Sequence, residues 1–221
     1  MRRPSIIVFD LDGTLIEFRL ELFEAKQRII EMLTNAGAPS SMISPKDSIQ
    51  ALLQKTEQIF GPAQGGELKN KALNIMKEYE MRAATESRLR KGVSELLRNL
   101  KAHGFRLAVA TNTHREAALL SLTRASILSF FEALVTRDDV SNLKPRGDLL
   151  KKLLEILRTE PGNVLYIGDS IHDLQASMEV GVAFIGVEGG VHNRTDLESA
   201  GCNHIISEPV ELLRYLGIPH I

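Results

Sequence analysis

Short apolar runs recur along the chain, and the intervals between most of them are long enough to hold a helix. The first run, at residues 6–9, has four apolar residues in succession and stops at an aspartate. A continuous apolar run of this kind is typical of a strand that is buried on both faces of a sheet. The pattern predicts six strands, at residues 6–9, 105–110, 133–135, 164–167, 182–185 and 204–206.

Amphipathic stretches lie between several of these runs. Residues 93–100 place valine and leucine at the i, i+3, i+4 and i+7 positions of a helix, and Gly104 is a suitable end for it. Residues 149–157 contain five leucines on a similar face, and residues 174–180 form a shorter pattern. This alternation of strands and helices predicts an α/β fold in which helices cover both faces of a parallel sheet.

The segment between the first two runs does not follow this alternation, because it contains helical patterns only. Ser44-Pro45 is typical of a helix start, and Gly61-Pro62 and Gly65-Gly66 are typical of interruptions. A parallel crossover needs only about a dozen residues, so one connecting helix does not account for this length. We predict a core formed by residues 1–16 and 87–221, with a small all-helical domain, residues 17–86, inserted after the first strand.

The composition of the chain limits which classes of binding partner are expected. Lys and Arg number 27 and Asp and Glu 28, a net charge of −1, so the basic surface of a nucleic-acid-binding protein is not expected. The one cysteine, Cys202, cannot form an internal disulfide and fits a reducing compartment; we expect a small turn residue there. Because signal-peptide and membrane-span patterns are absent, we expect a soluble cytoplasmic protein with no membrane or nucleic-acid partner. Monomer and homodimer both stay open.

Two carboxylates follow the first predicted strand. The string Asp-Leu-Asp-Gly-Thr occupies residues 10–14, and in an extended segment Asp10 and Asp12 point to the same side. Asp-Gly alone is typical of a simple turn. Directly after a buried strand, however, such a pair suits a hard cation, or a nucleophile beside a general acid. Because ligands bind at the carboxyl ends of strands in open α/β sheets, we interpret residues 10–14 as part of a site.

Two less specific pairs lie beyond later strands. Thr111-Asn112 follows the second strand, where a hydroxyl can donate to a phosphate oxygen, although a β-branched residue is also common at a strand end. Lys144-Pro145 lies beyond the third strand, and its ammonium can balance a phosphoryl charge, although solvated lysines at proline turns are common. Neither pair identifies a site without further context.

The string Gly-Asp-Ser-Ile-His-Asp follows the fourth predicted strand as residues 168–173. Asp169 is well placed to hold a metal ion at the edge of the sheet. Ser170 and Asp173 have the spacing of a capping box that opens a helix, with aspartate in place of the usual glutamate. Asp173 also suits a supporting position beside a metal ion, and the two interpretations are compatible.

The order of these strings resembles the four motifs of the haloacid dehalogenase (HAD) superfamily: Asp-x-Asp-Gly-Thr, a strand-ending Thr, Lys-Pro, and Gly-Asp-x-x-x-Asp. The resemblance covers the whole chain and implies a HAD-like core with a Rossmann-like parallel sheet. The helical insertion resembles the C1-type cap of the phosphoglycolate phosphatase and β-phosphoglucomutase branch. One departure is that Arg146-Gly147 follows Lys144-Pro145, where these relatives often have a second proline.

The resemblance implies an enzyme, a Mg²⁺-dependent phosphatase that hydrolyses a small phosphomonoester through an aspartyl-phosphate. Asp10 is then the nucleophile, and Asp12 protonates the leaving alcohol and later activates water. Asp10, the backbone carbonyl of Asp12, and Asp169 hold the Mg²⁺, and Asp173 supports them. The implied catalytic residues are Asp10, Asp12, Thr111 and Lys144, and the implied phosphate contacts are Gly13, Thr111, Asn112 and Lys144.

Three alternatives use the same fold. A haloacid dehalogenase shares the nucleophile but needs no Mg²⁺, and in that branch the residue corresponding to Asp12 is not aspartate. A phosphomutase of the β-phosphoglucomutase type keeps both carboxylates, and differs in whether a sugar hydroxyl or water reaches the phosphoenzyme. A non-enzymatic regulatory protein is disfavoured because every motif residue is present. The expected partner is a small phosphorylated metabolite, and the sequence does not identify it further.

Overall fold

The computed structural model describes residues 4–17 and 20–219 and divides into two compact units. One unit comprises Met1–Arg19 and Ala84–Ile221, and the other comprises Leu20–Ala83. The predicted helical insertion, residues 17–86, covers nearly the same stretch as the second unit, and its role as a cap stays a prediction. The helices are α1 Leu22–Asn35, α2 Ile49–Thr85, α3 Val93–Ala102, α4 Arg115–Arg124, α5 Asp148–Leu157, α6 Ile171–Val180, α7 Arg194–Ser199 and α8 Leu212–Tyr215.

The first unit is built on a six-stranded parallel sheet with strand order β3-β2-β1-β4-β5-β6. The predicted α/β fold class is therefore confirmed, and all six strands lie where the sequence predicts them, with ends that differ by at most two residues. The strands are β1 Ile6–Phe9, β2 Arg106–Ala110, β3 Ala133–Val135, β4 Val164–Gly168, β5 Ala183–Val187 and β6 Ile205–Ile206.

The sheet is covered on both faces, which explains why its strands read as continuous apolar runs. In β1, Ile7 and Phe9 belong to a cluster with apolar residues of α3, α4 and α8. The alternate residues, Ile6 and Val8, belong to a second cluster with residues of α5 and α6. Successive side chains of a strand point to opposite faces, so a strand buried on both sides needs apolar residues at every position.

The order of the strands places a switch point beside β1. The chain leaves β1 toward β2 and β3 on one side and returns to β4 on the other. Phe9 is in register with Val109 of β2 and with Ile167 of β4, and the Asp10 amide donates to the carbonyl of Ile167 at 2.8 Å. Residues that follow these three strands therefore meet at one edge, which is where open α/β sheets bind ligands.

Two predictions about the helical unit are wrong in detail. α2 begins at Ile49 rather than at Ser44-Pro45, because the Ser48 hydroxyl accepts a hydrogen bond from the Ala51 amide and so caps the helix. The chain over residues 44–47 forms a turn instead, in which the Ser44 amide donates to the carboxylate of Asp47 at 2.9 Å.

The interruption of α2 lies at Gly61, just before Pro62, where φ is 73° and ψ is 177°. Gly65-Gly66, which the sequence also predicts as a break, stays helical. A Cβ on Gly65 would lie 2.9 Å from the Cα of Glu57, so this glycine permits close approach of the two halves of α2 rather than a turn.

Two further observations concern membrane spans and the single cysteine. No helix among residues 4–17 and 20–219 is long and apolar enough to cross a membrane. Cys202 is a free, buried thiol, and its Sγ donates to the carbonyl of His204 at 3.3 Å.

Candidate active site

The carboxyl edge of the sheet collects the polar residues of the four sequence motifs. Asp10 follows β1, Thr111 follows β2, and Asp169 follows β4, and each of these side chains is buried. Lys144, from the loop after β3, and Asp173, in α6 just beyond β4, reach the same place: the Lys144 ammonium lies 2.6 Å from both the Asp10 and the Asp173 carboxylates. The structure therefore brings together residues that are up to 163 positions apart in the sequence, the separation of Asp10 and Asp173.

Lys144 is the central cation of this cluster. Its Nζ donates to Asp10 Oδ1 and to Asp173 Oδ1 at 2.6 Å, and to the hydroxyl of Tyr166 at 3.1 Å. An isolated buried ammonium is costly, and paired carboxylates offset that cost. Although burial lowers the pKa of Lys144, the charges of Asp10 and Asp173 raise it above its usual range. The lysine is therefore held protonated beside the Asp10 carboxylate.

Asp173 caps the start of α6 and also accepts a hydrogen bond from Lys144, a contact that the sequence does not predict. The predicted capping box is confirmed: the Ser170 hydroxyl accepts from the Asp173 amide, and Asp173 Oδ2 accepts from the Ser170 amide. Its other oxygen, Oδ1, accepts from Lys144 and from the Tyr166 hydroxyl, each at 2.6 Å. Although burial raises the pKa of Asp173, the Lys144 ammonium and these hydrogen bonds lower it below its usual value. Both oxygens of this carboxylate thus have protein donors.

Tyr166 is a member of the cluster that our sequence analysis does not include. It lies in β4 and is completely buried, and its hydroxyl donates to Asp173 Oδ1. The available signal is a phenol inside an otherwise aliphatic strand, because a buried tyrosine hydroxyl usually needs a hydrogen-bond partner. The sequence does not indicate which partner it has.

Asp10, Asp169 and Asp173 form a group that could hold a metal ion. Each offers one carboxylate oxygen, and these oxygens lie within 4.8 Å of one another. Burial raises the pKa of Asp10 well above its usual value, with Lys144 opposing the shift, and burial and the Asp173 charge raise the pKa of Asp169 to about 7. A hard divalent cation fits this set, because carboxylate oxygens are its preferred ligands and its charge would offset the crowded negative charge.

The carboxylate of Asp169 is held from two sides. Its Oδ2 accepts from the Val191 amide at 2.6 Å, and its Oδ1 accepts from the Thr14 hydroxyl at 3.3 Å. Two glycines, Gly13 and Gly190, pack so closely that a Cβ on either would overlap this carboxylate, and Gly13 also has a φ of +88°. The loop after β5, which contributes Val191 and Gly190, is a further part of the site that no sequence motif predicts.

Asp12 is not a member of the group of three carboxylates and has a different partner. Its Oδ2 accepts a hydrogen bond of 2.6 Å from the hydroxyl of Thr113. Burial raises the pKa of Asp12, while the Thr113 hydrogen bond and the Lys144 charge oppose that shift. Thr113 directly follows the predicted pair Thr111-Asn112, but no pattern in the sequence indicates its contact with Asp12.

The predicted phosphate contacts divide into two kinds. The side chain of Asn112 is bonded to the backbone of Lys144, through Oδ1 to the amide at 2.9 Å and through Nδ2 to the carbonyl at 3.3 Å. The amide of Gly13 donates to the carbonyl of Ile16 at 2.8 Å. Asn112 and Gly13 therefore organise the loops of the site, whereas Thr111 and Lys144 place a hydroxyl and an ammonium at its edge.

The whole set of motifs lies within a stretch that matches a known family. Residues 7–187 match the model of the haloacid dehalogenase-like hydrolase family. The chain belongs to this family. The predicted resemblance and the prediction of a hydrolase are thereby confirmed.

Several relatives and solved structures extend over nearly the entire chain. It is 28% identical over 214 residues to a phosphoglycolate phosphatase of Nitrosospira multiformis, covering 95% of this chain and 94% of the relative. It is 26% identical over 232 residues to the pyrophosphatase PpaX of Anoxybacillus flavithermus, covering 97% of each. The fold is similar to that of a hydrolase from Pseudomonas syringae, with a TM-score of 0.74 and 23% identity over 96% of this chain and 98% of that one.

Proposed function

We propose that this HAD-family protein is a Mg²⁺-dependent phosphatase that hydrolyses a small phosphomonoester through a phosphoryl group carried on Asp10. The observation that supports it most is the pairing of Lys144 with Asp10 at 2.6 Å, inside a group of buried carboxylates at the switch point of the sheet. A charge-balanced, buried carboxylate at that edge has the position and the polar surroundings of a nucleophile.

Asp10 acts first. One of its carboxylate oxygens attacks the substrate phosphorus, and the bond from phosphorus to the leaving alcohol oxygen breaks as the aspartyl-phosphate bond forms. Lys144 holds Oδ1 of Asp10 and, among the residues the structure describes, is the one side chain hydrogen-bonded to that carboxylate. The ammonium therefore orients the nucleophile and also offsets the charge that accumulates on the phosphoryl oxygens.

Asp12 moves the protons of both half-reactions. It gives a proton to the oxygen of the leaving alcohol while that bond to phosphorus breaks. It then takes a proton from the water that attacks phosphorus, which releases inorganic phosphate and restores the Asp10 carboxylate. Its carboxylate accepts a hydrogen bond from the neutral Thr113 hydroxyl, whereas those of Asp10 and Asp173 accept one from the Lys144 ammonium, and this difference supports the role.

Asp10, the carbonyl of Asp12, and Asp169 are the groups that would hold Mg²⁺. When bound, the ion supplies positive charge that reduces the repulsion between a carboxylate nucleophile and a phosphate ester. Asp173 is assigned a different task, because its oxygens are taken by Lys144, Tyr166 and Ser170. It keeps the lysine in place, while Thr111 contributes a hydroxyl to the phosphate oxygens.

The names of the relatives support a proposed substrate class that stays broad. One is named a phosphoglycolate phosphatase and another a pyrophosphatase, which favours a small, strongly anionic phosphate compound. Residues 17–86, which include the helical unit, are proposed to act as a cap that closes over the substrate. A phosphomutase is the second candidate, because Asp10 and Asp12 are both present and serve that reaction equally.

A Mg²⁺-dependent screen tests this function. Purified protein is incubated with phosphoglycolate, pyrophosphate, sugar phosphates, nucleotides and p-nitrophenyl phosphate, with and without Mg²⁺, and free phosphate is measured. We expect Mg²⁺-dependent release from at least one small ester, and none from Asp10→Asn. Transfer of the phosphoryl group between positions of a sugar, without release, would support the phosphomutase instead. The absence of both reactions would overturn the proposal.

A further inference from the structure

Thr113 makes a contact with the proposed acid–base residue that no motif predicts. Its hydroxyl donates to Oδ2 of Asp12 at 2.6 Å, although the two residues are 101 positions apart. Thr113 is itself held in place: it is buried, its amide donates to the Thr111 hydroxyl at 3.2 Å, and it lies just before His114, the N-cap of α4. The Thr113 hydroxyl is therefore a donor held in place that bonds to one oxygen of Asp12. Without it, the carboxylate would be free to rotate about its Cβ–Cγ bond.

We propose that Thr113 is a positioning residue that selects which oxygen of Asp12 carries the transferred proton, an inference that rests on the proposed phosphatase function. Because Oδ2 accepts the Thr113 hydrogen bond, the proton of the acid form sits on Oδ1. Oδ1 is then the oxygen that faces the leaving alcohol and, later, the attacking water. Once the proton has left, the same hydroxyl donates to a carboxylate, and this hydrogen bond is stronger than one to the neutral acid.

The inference predicts a dependence on the leaving group that a merely structural threonine would not produce. An alkyl ester leaves as a basic alkoxide and needs the proton from Asp12, whereas p-nitrophenolate is stable without one. Loss of the Thr113 hydroxyl should therefore slow phosphoenzyme formation from alkyl esters much more than from p-nitrophenyl phosphate. Damage to folding or to Mg²⁺ binding would slow both substrates alike.

The experiment compares Thr113→Val, which keeps the shape but removes the hydroxyl, with Thr113→Ser, which keeps the hydroxyl. For each, kcat/KM is measured on p-nitrophenyl phosphate and on the best alkyl phosphate of the wild-type protein. We expect Thr113→Val to lose about 10–100-fold on the alkyl ester, the cost typical of a misplaced catalytic group, and only a few-fold on p-nitrophenyl phosphate. Thr113→Ser should recover most of the loss. Thermal unfolding of both variants reports whether the fold is kept.

Each result has a defined meaning. Equal losses on both substrates, an unchanged Thr113→Val protein, or a Thr113→Ser protein as impaired as Thr113→Val would overturn the inference while leaving the phosphatase in place. If the wild-type protein releases phosphate from neither ester, the proposed function fails and this inference fails with it.

Discussion

The buried carboxylates of this site differ in the hydrogen bonds that their oxygens accept from the protein. Both oxygens of Asp173 have protein donors, among them the Lys144 ammonium. The oxygens of Asp169 have one amide and one longer hydroxyl contact, and its pKa is raised to about 7 by burial and by the Asp173 charge. We therefore assign different tasks in the proposed site to these two carboxylates, which lie four residues apart in one motif: Asp169 to a cation, and Asp173 to the lysine.

This difference leads to a prediction about Mg²⁺. Asp169→Asn should raise the Mg²⁺ concentration needed for half-maximal stabilisation by about tenfold or more, because an anionic ligand is lost. Asp173→Asn, the matched variant, should shift this concentration much less and should mainly lower kcat. The increase in melting temperature with added Mg²⁺ measures binding without requiring turnover. Equal shifts in the two variants would show that our division of tasks is wrong.

The sequence indicates the identities of these residues better than their contacts. Asp10, Asp12, Asp169 and Lys144 are identifiable because each belongs to a short string at the end of a strand. The pairings of Tyr166 with Asp173, of Thr113 with Asp12, and of Val191 with Asp169 join residues from different loops and strands. No local pattern specifies such tertiary contacts.

At the scale of elements, the loop after β3 is tied to the start of α4 through Asp139. Its Oδ2 accepts from the amide and the hydroxyl of Thr136 at 2.8 and 2.9 Å, which closes a capping box around the short helical turn Arg137–Asp139. Its Oδ1 accepts from the Arg115 guanidinium at 2.6 Å. Although partial burial opposes the shift, the Arg115 and Thr136 hydrogen bonds lower the pKa of Asp139.

Asp139→Ala should therefore lower the free energy of unfolding by about 1 kcal/mol near neutral pH, mostly through the lost cap, since the exposed arginine contributes little. A lowered pKa in the folded state contributes stability above the unfolded value, which is near 3.8, and this stability is lost as the pH falls through the folded value. The difference from wild type should thus shrink in acid.

Urea unfolding near neutral pH and below about pH 3 measures this difference. Glu155→Ala is the control, because its side chain is 71% exposed and its ion pair with Lys152 is 3.7 Å long. We expect little change for that variant at either pH. An Asp139→Ala protein as stable as wild type near neutral pH would show that the capping box does not stabilise this connection.

The strands of the sheet are easier to predict from the sequence than the breaks in the helical unit, for a physical reason. Strands buried on both faces need apolar residues at every position, so all six are visible in the sequence. In the helical unit, glycine has two uses: at Gly61 it allows a φ of 73°, and at Gly65 it allows close approach of helix halves. The sequence shows a glycine in both cases but not which use applies.

At the scale of the whole molecule, the family membership and the chemistry have different support. The match over residues 7–187 establishes the HAD-like hydrolase family. The assignment of Asp10 as nucleophile and Asp12 as acid and base rests on their positions after β1 and on their separate partners, Lys144 and Thr113. The central claim is therefore that the phosphoryl group passes through Asp10.

Asp12→Asn provides the most direct test of that claim. p-Nitrophenolate leaves without a proton, but hydrolysis of the phosphoenzyme needs Asp12 to activate water, a contribution of about 10²–10⁴-fold. In a rapid-quench experiment with p-nitrophenyl phosphate and Mg²⁺, we expect a burst of p-nitrophenolate and, by mass spectrometry, one phosphoryl group on the peptide containing Asp10. The double variant Asp10→Asn with Asp12→Asn should show neither. Phosphate release without a burst or a phosphorylated Asp10, or an adduct on another residue, would contradict the proposed mechanism.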